Sequence, residues 1–152
     1  MATTGPLAHL DLSVADVDRS IAFYAVLLEG IGFSRVQSPA PGWTGERPTR
    51  AAWSIAYPND TRFVVDLRPA EAAKRHRRYD RYAPGPHHLA FHAETREAVD
   101  RIHEQVAAAG GTVLDAPSEY SGPDYTGGYY AVFFADPDGL KLEVVHHPPT
   151  NP

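Results

Sequence analysis

The 152-residue chain has no cysteine. Disulfides, thiolate metal sites and cysteine nucleophiles are thereby excluded. No apolar run approaches the roughly 18 residues that a membrane helix needs. The opening residues, Met1-Ala2-Thr3-Thr4-Gly5-Pro6, have neither the charged nor the apolar region of a signal peptide. The expected compartment is therefore the cytoplasm, with no membrane partner. A surplus of positive charge is also missing. Fourteen Lys and Arg against nineteen Asp and Glu give a net charge of −5 with eight His uncounted, which has the wrong sign for a general nucleic-acid binder. The one basic cluster (Lys74, Arg75, Arg77, Arg78, Arg81) is broken by Asp80 and reads as a solvated helix face. Proline and glycine are plentiful but scattered, so they punctuate turns and form no low-complexity tract. What is present is globular: 43% apolar and 22% charged residues suit one domain with a self-standing core.

The chain repeats itself. His9-Leu10-Asp11-Leu12-Ser13-Val14 matches His88-Leu89-Ala90-Phe91-His92-Ala93 at an offset of 79, which also sets Gly32 on Gly111. Phe63-Val64-Val65-Asp66-Leu67 matches Leu140-Lys141-Leu142-Glu143-Val144 at an offset of 77. Each half reads as a strand, a helix and three strands. Alternation predicts strands over 8–14, 33–37, 50–57 and 63–68 in the first half, and 87–93, 112–115, 129–135 and 140–146 in the second. Asp16 caps a helix with the apolar stripe Ile21, Tyr24, Leu27 and Leu28, ended by Gly30 and Gly32. Thr95 starts the second helix, near 95–108, and Gly110-Gly111 stops it. Hairpins turn at Pro58-Asn59-Asp60 and at Asp136-Pro137-Asp138-Gly139. The parts are module one, about 7–68; a connector, 69–86, with room for a short helix; module two, about 87–146; and a tail, 147–152.

Strand side chains alternate between faces. The apolar rows, such as Phe63, Val65 and Leu67, suit packing under helices. The opposite rows carry His9, Asp66, His88 and Glu143, two in each half at matched places. A lone His on a strand is ordinarily structural. Two imidazoles and two carboxylates at equivalent positions read instead as a metal site, and a two-His-one-carboxylate set suits non-heme Fe(II).

These residues resemble the vicinal oxygen chelate superfamily, which contains glyoxalase I, extradiol dioxygenases, methylmalonyl-CoA epimerase, and fosfomycin and bleomycin resistance proteins. The resemblance covers about residues 7–146. It rests on His9 to Val14 followed by Ser20-Ile21-Ala22-Phe23-Tyr24, on His88-Leu89-Ala90-Phe91, and on Phe133 through Asp136-Pro137-Asp138-Gly139 to Glu143. It implies an α+β fold of paired βαβββ modules forming a curled mixed sheet around a cleft, with helices outside. It implies a divalent metal (Fe, Ni, Zn or Mn) held by His9, His88 and Glu143, with Asp66 at the fourth place. His88 is chosen over His87 because it falls in register with His9. It also implies a homodimer and a small-molecule substrate bound through vicinal oxygens, whose enolate or oxyanion the site stabilises. Lyase or isomerase chemistry is preferred. The alternatives are Fe(II) dioxygenase chemistry and a sequestration protein of the bleomycin-resistance type.

Departures from the family pattern sharpen this. Glyoxalase I has Glu where this chain has Asp66, one methylene shorter, and Arg where it has Ser13. Extradiol dioxygenases have Tyr where it has Phe133. Asp66 is the first candidate base and His92, on the face of His88, the second. Arg68, beside Asp66, either binds an anionic substrate group or neutralises Asp66. Tyr129 shares the cleft row with Phe133, and Tyr130 and Phe134 turn to a helix. Two aromatic-bearing loops, 39–49 with Trp43 and 117–128 with Tyr120 and Tyr125, read as substrate lids or as covers for the ends of the core or an oligomer contact, the latter preferred for Trp43. Ser13, Arg68, Tyr125 and Tyr129 are thus the expected substrate contacts.

Overall fold

A computed structural model describes residues 6–36, 51–123, 125 and 127–148. Trp43 and its loop lie outside the described residues. The chain divides into two compact units, Met1–Arg77 and Arg78–Pro152, with the boundary inside the expected connector.

In the first unit the order is β1 (His9–Val14), α1 (Val17–Gly30), β2 (Ser34–Arg35), β3 (Ala51–Ala56) and β4 (Arg62–Pro69). They form a mixed sheet ordered β1-β4-β3-β2, with β1 parallel to β4. A single 3-10 turn, Ala72–Lys74, is all the helix the connector holds. The second unit runs β5 (Leu89–His92), α2 (Arg96–Ala108), β6 (Thr112–Glu119), β7 (Tyr130–Ala135) and β8 (Lys141–His146). Its sheet is ordered β5-β8-β7-β6, with β5 parallel to β8. The chain is therefore α+β, built of two βαβββ modules of one topology. Among the described residues, no helix is long and apolar enough to cross a membrane.

The helices start where the sequence predicts. The Asp16 carboxylate accepts from the Arg19 amide at 3.1 Å, and the Thr95 hydroxyl from the Ala98 amide at 3.1 Å. They end differently from the simple repeat. The left-handed residue after α1 is Gly32 (φ +95°), and after α2 it is Gly110 (φ +78°), not Gly111. α1 has 14 residues and α2 has 13, so one residue drops out within the helix and the offset falls from 79 towards 77. Helical phase explains a second correction. The buried stripe of α1 is Ser20, Phe23, Tyr24, Leu27 and Leu28, with Ile21 at its half-buried margin.

Burial follows strand position. Central β4 buries Phe63, Val65 and Leu67. β1 lies at the sheet edge, so of its apolar row only Val14 is buried; Leu10 and Leu12 are half-buried and Ala8 is exposed. The first core gathers Trp53, Tyr24, Leu27, Leu28, Val65 and Leu67; the second gathers Phe134, Ile102, Leu142, Val99 and Val144. Each large apolar side chain so buried contributes about 1.5–3 kcal/mol. β6 is longer than predicted, because Pro117–Glu119 continue the strand and do not open the loop. An edge strand tolerates that proline, and its register shifts twice on the way, between Val113 and Asp115 and between Asp115 and Ser118.

Candidate functional site

The residue pairing within each unit builds the candidate site. In the first, Asp11 pairs with Asp66 and Ser13 with Arg68 across β1 and β4. In the second, Ala90 pairs with Glu143 and His92 with Val145 across β5 and β8. Paired residues point to the same face. His88 precedes β5, so its side chain falls on the Glu143 face.

The β7–β8 hairpin delivers Glu143. Its turn is closed by the buried Asp136 carboxylate, which accepts from the amides of Asp138 (2.9 Å) and Leu140 (2.8 Å). Gly139 occupies the left-handed position at φ +95°. Two residues into β8, Glu143 is only 2% exposed. A carboxylate taken that far from water needs partners. It has two: Oε1 accepts from the Tyr129 phenol, and Oε2 lies 3.2 Å from His88 Nε2. The imidazole that meets Glu143 is therefore that of His88. His87 instead sets its Nδ1 2.8 Å from Nδ1 of His88. Lost solvation, and then the neighbouring His88, hold His87 below the ordinary imidazole pKa. Burial, and then Glu143, push the Tyr129 phenol far above its usual range, so it remains a proton donor at neutral pH.

An aromatic wall adjoins this pair. Phe133 lies opposite Glu143 in the β7–β8 ladder. Its ring meets Tyr120 at 5.6 Å and His88 at 6.4 Å, both edge-on. Tyr125 packs on Tyr120 at 5.6 Å and on Tyr129 at 5.1 Å. Lys141 Nζ stands 3.9 Å over the Phe133 ring. Alternation sets Lys141 in the Glu143 row, but sequence reasoning gave it no role. Tyr120 follows directly on β6 and donates its amide to the Tyr129 carbonyl at 2.9 Å. The helix side of β7 also follows alternation. Tyr130 turns to α2 and donates to Asp100 at 2.8 Å. The Arg96 guanidinium lies 5.1 Å over that ring and reaches Glu119 at 3.0 Å, tying the end of β6 to the start of α2.

In the first unit, His9, Asp11 and Ser13 are exposed along β1, and Asp66 is half-buried on β4. Arg68 Nε pairs with Asp11 Oδ2 at 2.6 Å. The cation expected to serve a substrate or Asp66 is thus engaged by a carboxylate that sequence reasoning left without a role. His92 is exposed at the end of β5.

The donor chemistry of the second unit fits a divalent cation. Two ligands on a common ion at about 2.1 Å and a right angle stand about 3 Å apart, close to the His88–Glu143 separation of 3.2 Å. A buried carboxylate beside an imidazole also matches the preferences of Fe, Zn, Ni and Mn. Among the described residues, no group of three or more His, Cys, Asp or Glu comes together. The second unit supplies a pair.

Comparison with known proteins places the chain in a family. The model of the Glyoxalase/Bleomycin resistance protein/Dioxygenase superfamily matches residues 7–144. The uncharacterized protein YqjT of Bacillus subtilis (strain 168) is 33% identical over 138 residues, covering 90% of this chain and 95% of its own length. A candidate glyoxalase of known structure from Bacillus halodurans is 29% identical, with a TM-score of 0.68 over 94% of this chain and 96% of that one. A glyoxylase/bleomycin resistance protein/dioxygenase domain from Frankia sp. EAN1pec shares the fold, with a TM-score of 0.63 at 20% identity over 93% of this chain and 97% of that one.

Proposed function

Because the chain belongs to the glyoxalase/bleomycin resistance protein/dioxygenase superfamily, we propose that it is a divalent-metal-dependent enzyme acting on a small substrate held through two neighbouring oxygens, by lyase or isomerase chemistry. The observation that carries this reading is the buried Glu143 carboxylate, held by the Tyr129 phenol on one oxygen and facing His88 on the other. In the proposal His9 and Asp66 complete the donor set, from the same chain or from a second copy in a homodimer. The bound ion supplies electrostatic stabilisation of the negative charge that develops on the substrate oxygens. Tyr129 fixes the carboxylate so that Oε2 remains directed to the His88 side. Where its short side chain leaves it off the ion, Asp66 takes the proton from the carbon next to the substrate carbonyl. His92 is the weaker candidate for that role, since it stands four residues along the chain from His88, about 13 Å in extended backbone. Phe133 offers no phenol of the kind the dioxygenase chemistry uses, which favours proton transfer over oxygen insertion.

A second reading has its own support. The Tyr120, Tyr125 and Tyr129 rings form a wall that would hold a flat ligand without any reaction. Elemental analysis of tag-free protein separates the two, beside His9→Ala, His88→Ala and Glu143→Ala variants. The enzyme reading expects near-stoichiometric metal in the wild type and its loss in the variants. A wild type that stays metal-free after incubation with Fe, Ni, Zn and Mn would leave the sequestration reading.

A further inference from the structure

Lys141 begins β8 two residues before Glu143 and lies on the same face of the sheet. It is half-buried, and its ammonium rests on the Phe133 ring. Among the described residues, no carboxylate comes within ion-pair distance of it. The other cation on a site-facing row, Arg68, is engaged by Asp11 at 2.6 Å. Among the described residues, the Lys141 ammonium is thus held by a ring and by no carboxylate. It is also continuous with the aromatic wall: Phe133 under it, Tyr120 against Phe133, and Tyr125 and Tyr129 against Tyr120. A ring shields an ammonium from water while leaving its donors unsatisfied, and such a group gains more from an incoming anion than a fully hydrated one does.

We propose that Lys141 is the specificity residue of this site and that the natural substrate is an aromatic or similarly flat molecule carrying a carboxylate. The carboxylate meets the Lys141 ammonium, and the ring lies against Tyr120 and Tyr125. The inference deepens the preceding reading by naming the substrate class of the same site. It rests on that reading only for where the substrate binds, since Lys141 and the wall recognise the ligand without a metal.

The test uses full-length protein stripped of metal by chelation, so that no ion can attract the probe's carboxylate. Two probes of one shape, 2-naphthoate and 2-naphthamide, are titrated and followed by NMR. The wild type is expected to bind the naphthoate about tenfold more tightly than the amide. Lys141→Met, which keeps the aliphatic stem, is expected to bring the two to near parity by weakening naphthoate alone. Lys141→Arg is expected to restore the preference. Tyr125→Ala is expected to weaken both probes alike. Equal affinities in the wild type, or a preference that survives Lys141→Met, would overturn the assignment, as would failure of both probes to bind. A wild type that takes up no metal yet prefers naphthoate through Lys141 would defeat the metalloenzyme reading and leave this one standing.

Discussion

Tyr129 and Tyr130 are adjacent in sequence and serve opposite faces. The first donates to Glu143 and the second to Asp100 on α2. The hydrogen bond to Asp100, ahead of burial, raises the pKa of the Tyr130 phenol. Its folded value then lies above the unfolded one, which is about 10. The bond's contribution to stability is full below that pH and is lost as pH rises through the folded value. Urea unfolding of the wild type and Tyr130→Phe is therefore expected to show a gap near pH 8 that narrows towards about pH 11. A gap independent of pH would mean that the bond contributes nothing. Glu97, in the first turn of α2, runs the opposite way. Its own backbone amide and the Thr95 hydroxyl lower its pKa, so its contribution is present above the unfolded carboxylate range and fades as pH falls through the folded value. In the core, Leu27 is fully buried on α1, and Leu27→Ala is expected to cost about 2–5 kcal/mol in chemical denaturation.

At the scale of elements, the β7–β8 hairpin governs the candidate site. Asp136→Ala takes the acceptor from two turn amides, one of them buried, at an expected cost of about 1–3 kcal/mol. Gly139→Ala forces a side chain into the left-handed region and is expected to cost about 1–2 kcal/mol. Denaturant titration measures both, and an unchanged midpoint in either would remove that residue from the account. This hairpin was legible in the sequence because Asp-Pro-Asp-Gly states its turn chemistry outright. The helix caps were legible for the same reason. Of β6 only 112–115 was legible, because beyond it an edge strand containing Pro117 and two register shifts has no clean alternation. The wall aromatics were legible as residues, but their contacts with one another were not. Arg68 illustrates another limit. Alternation assigned its face, but its pairing with Asp11 depends on β1 and β4 lying side by side, 57 residues apart in sequence.

For the whole molecule, the testable consequence is metal-linked stability. Ligand bound only by the folded state raises stability by about 2.7 kcal/mol at a hundredfold excess over Kd. Thermal unfolding of chelator-treated protein is expected to shift upward on adding Zn or Mn, and Glu143→Gln is expected to abolish the shift. A shift that persists in Glu143→Gln would locate the ion elsewhere. The repeat made the two βαβββ halves readable, and the resemblance supplied the way their strands pair. The residue pairing agrees in both halves: Asp11 beside Asp66, and Ala90 beside Glu143.

That agreement makes the chain its own comparison across a duplication. Val64, Asp66 and Arg68 hold the same places as Lys141, Glu143 and Val145. One copy carries its cation after the acid, and the other carries it before. In the first copy Asp11 answers the cation, while in the second the corresponding residue is Ala90. The two halves thus differ in where the cation stands and in whether a carboxylate faces it. One closes its ion pair within the module, and the other, with no carboxylate on its lysine among the described residues, is the one proposed to take its counterion from a ligand.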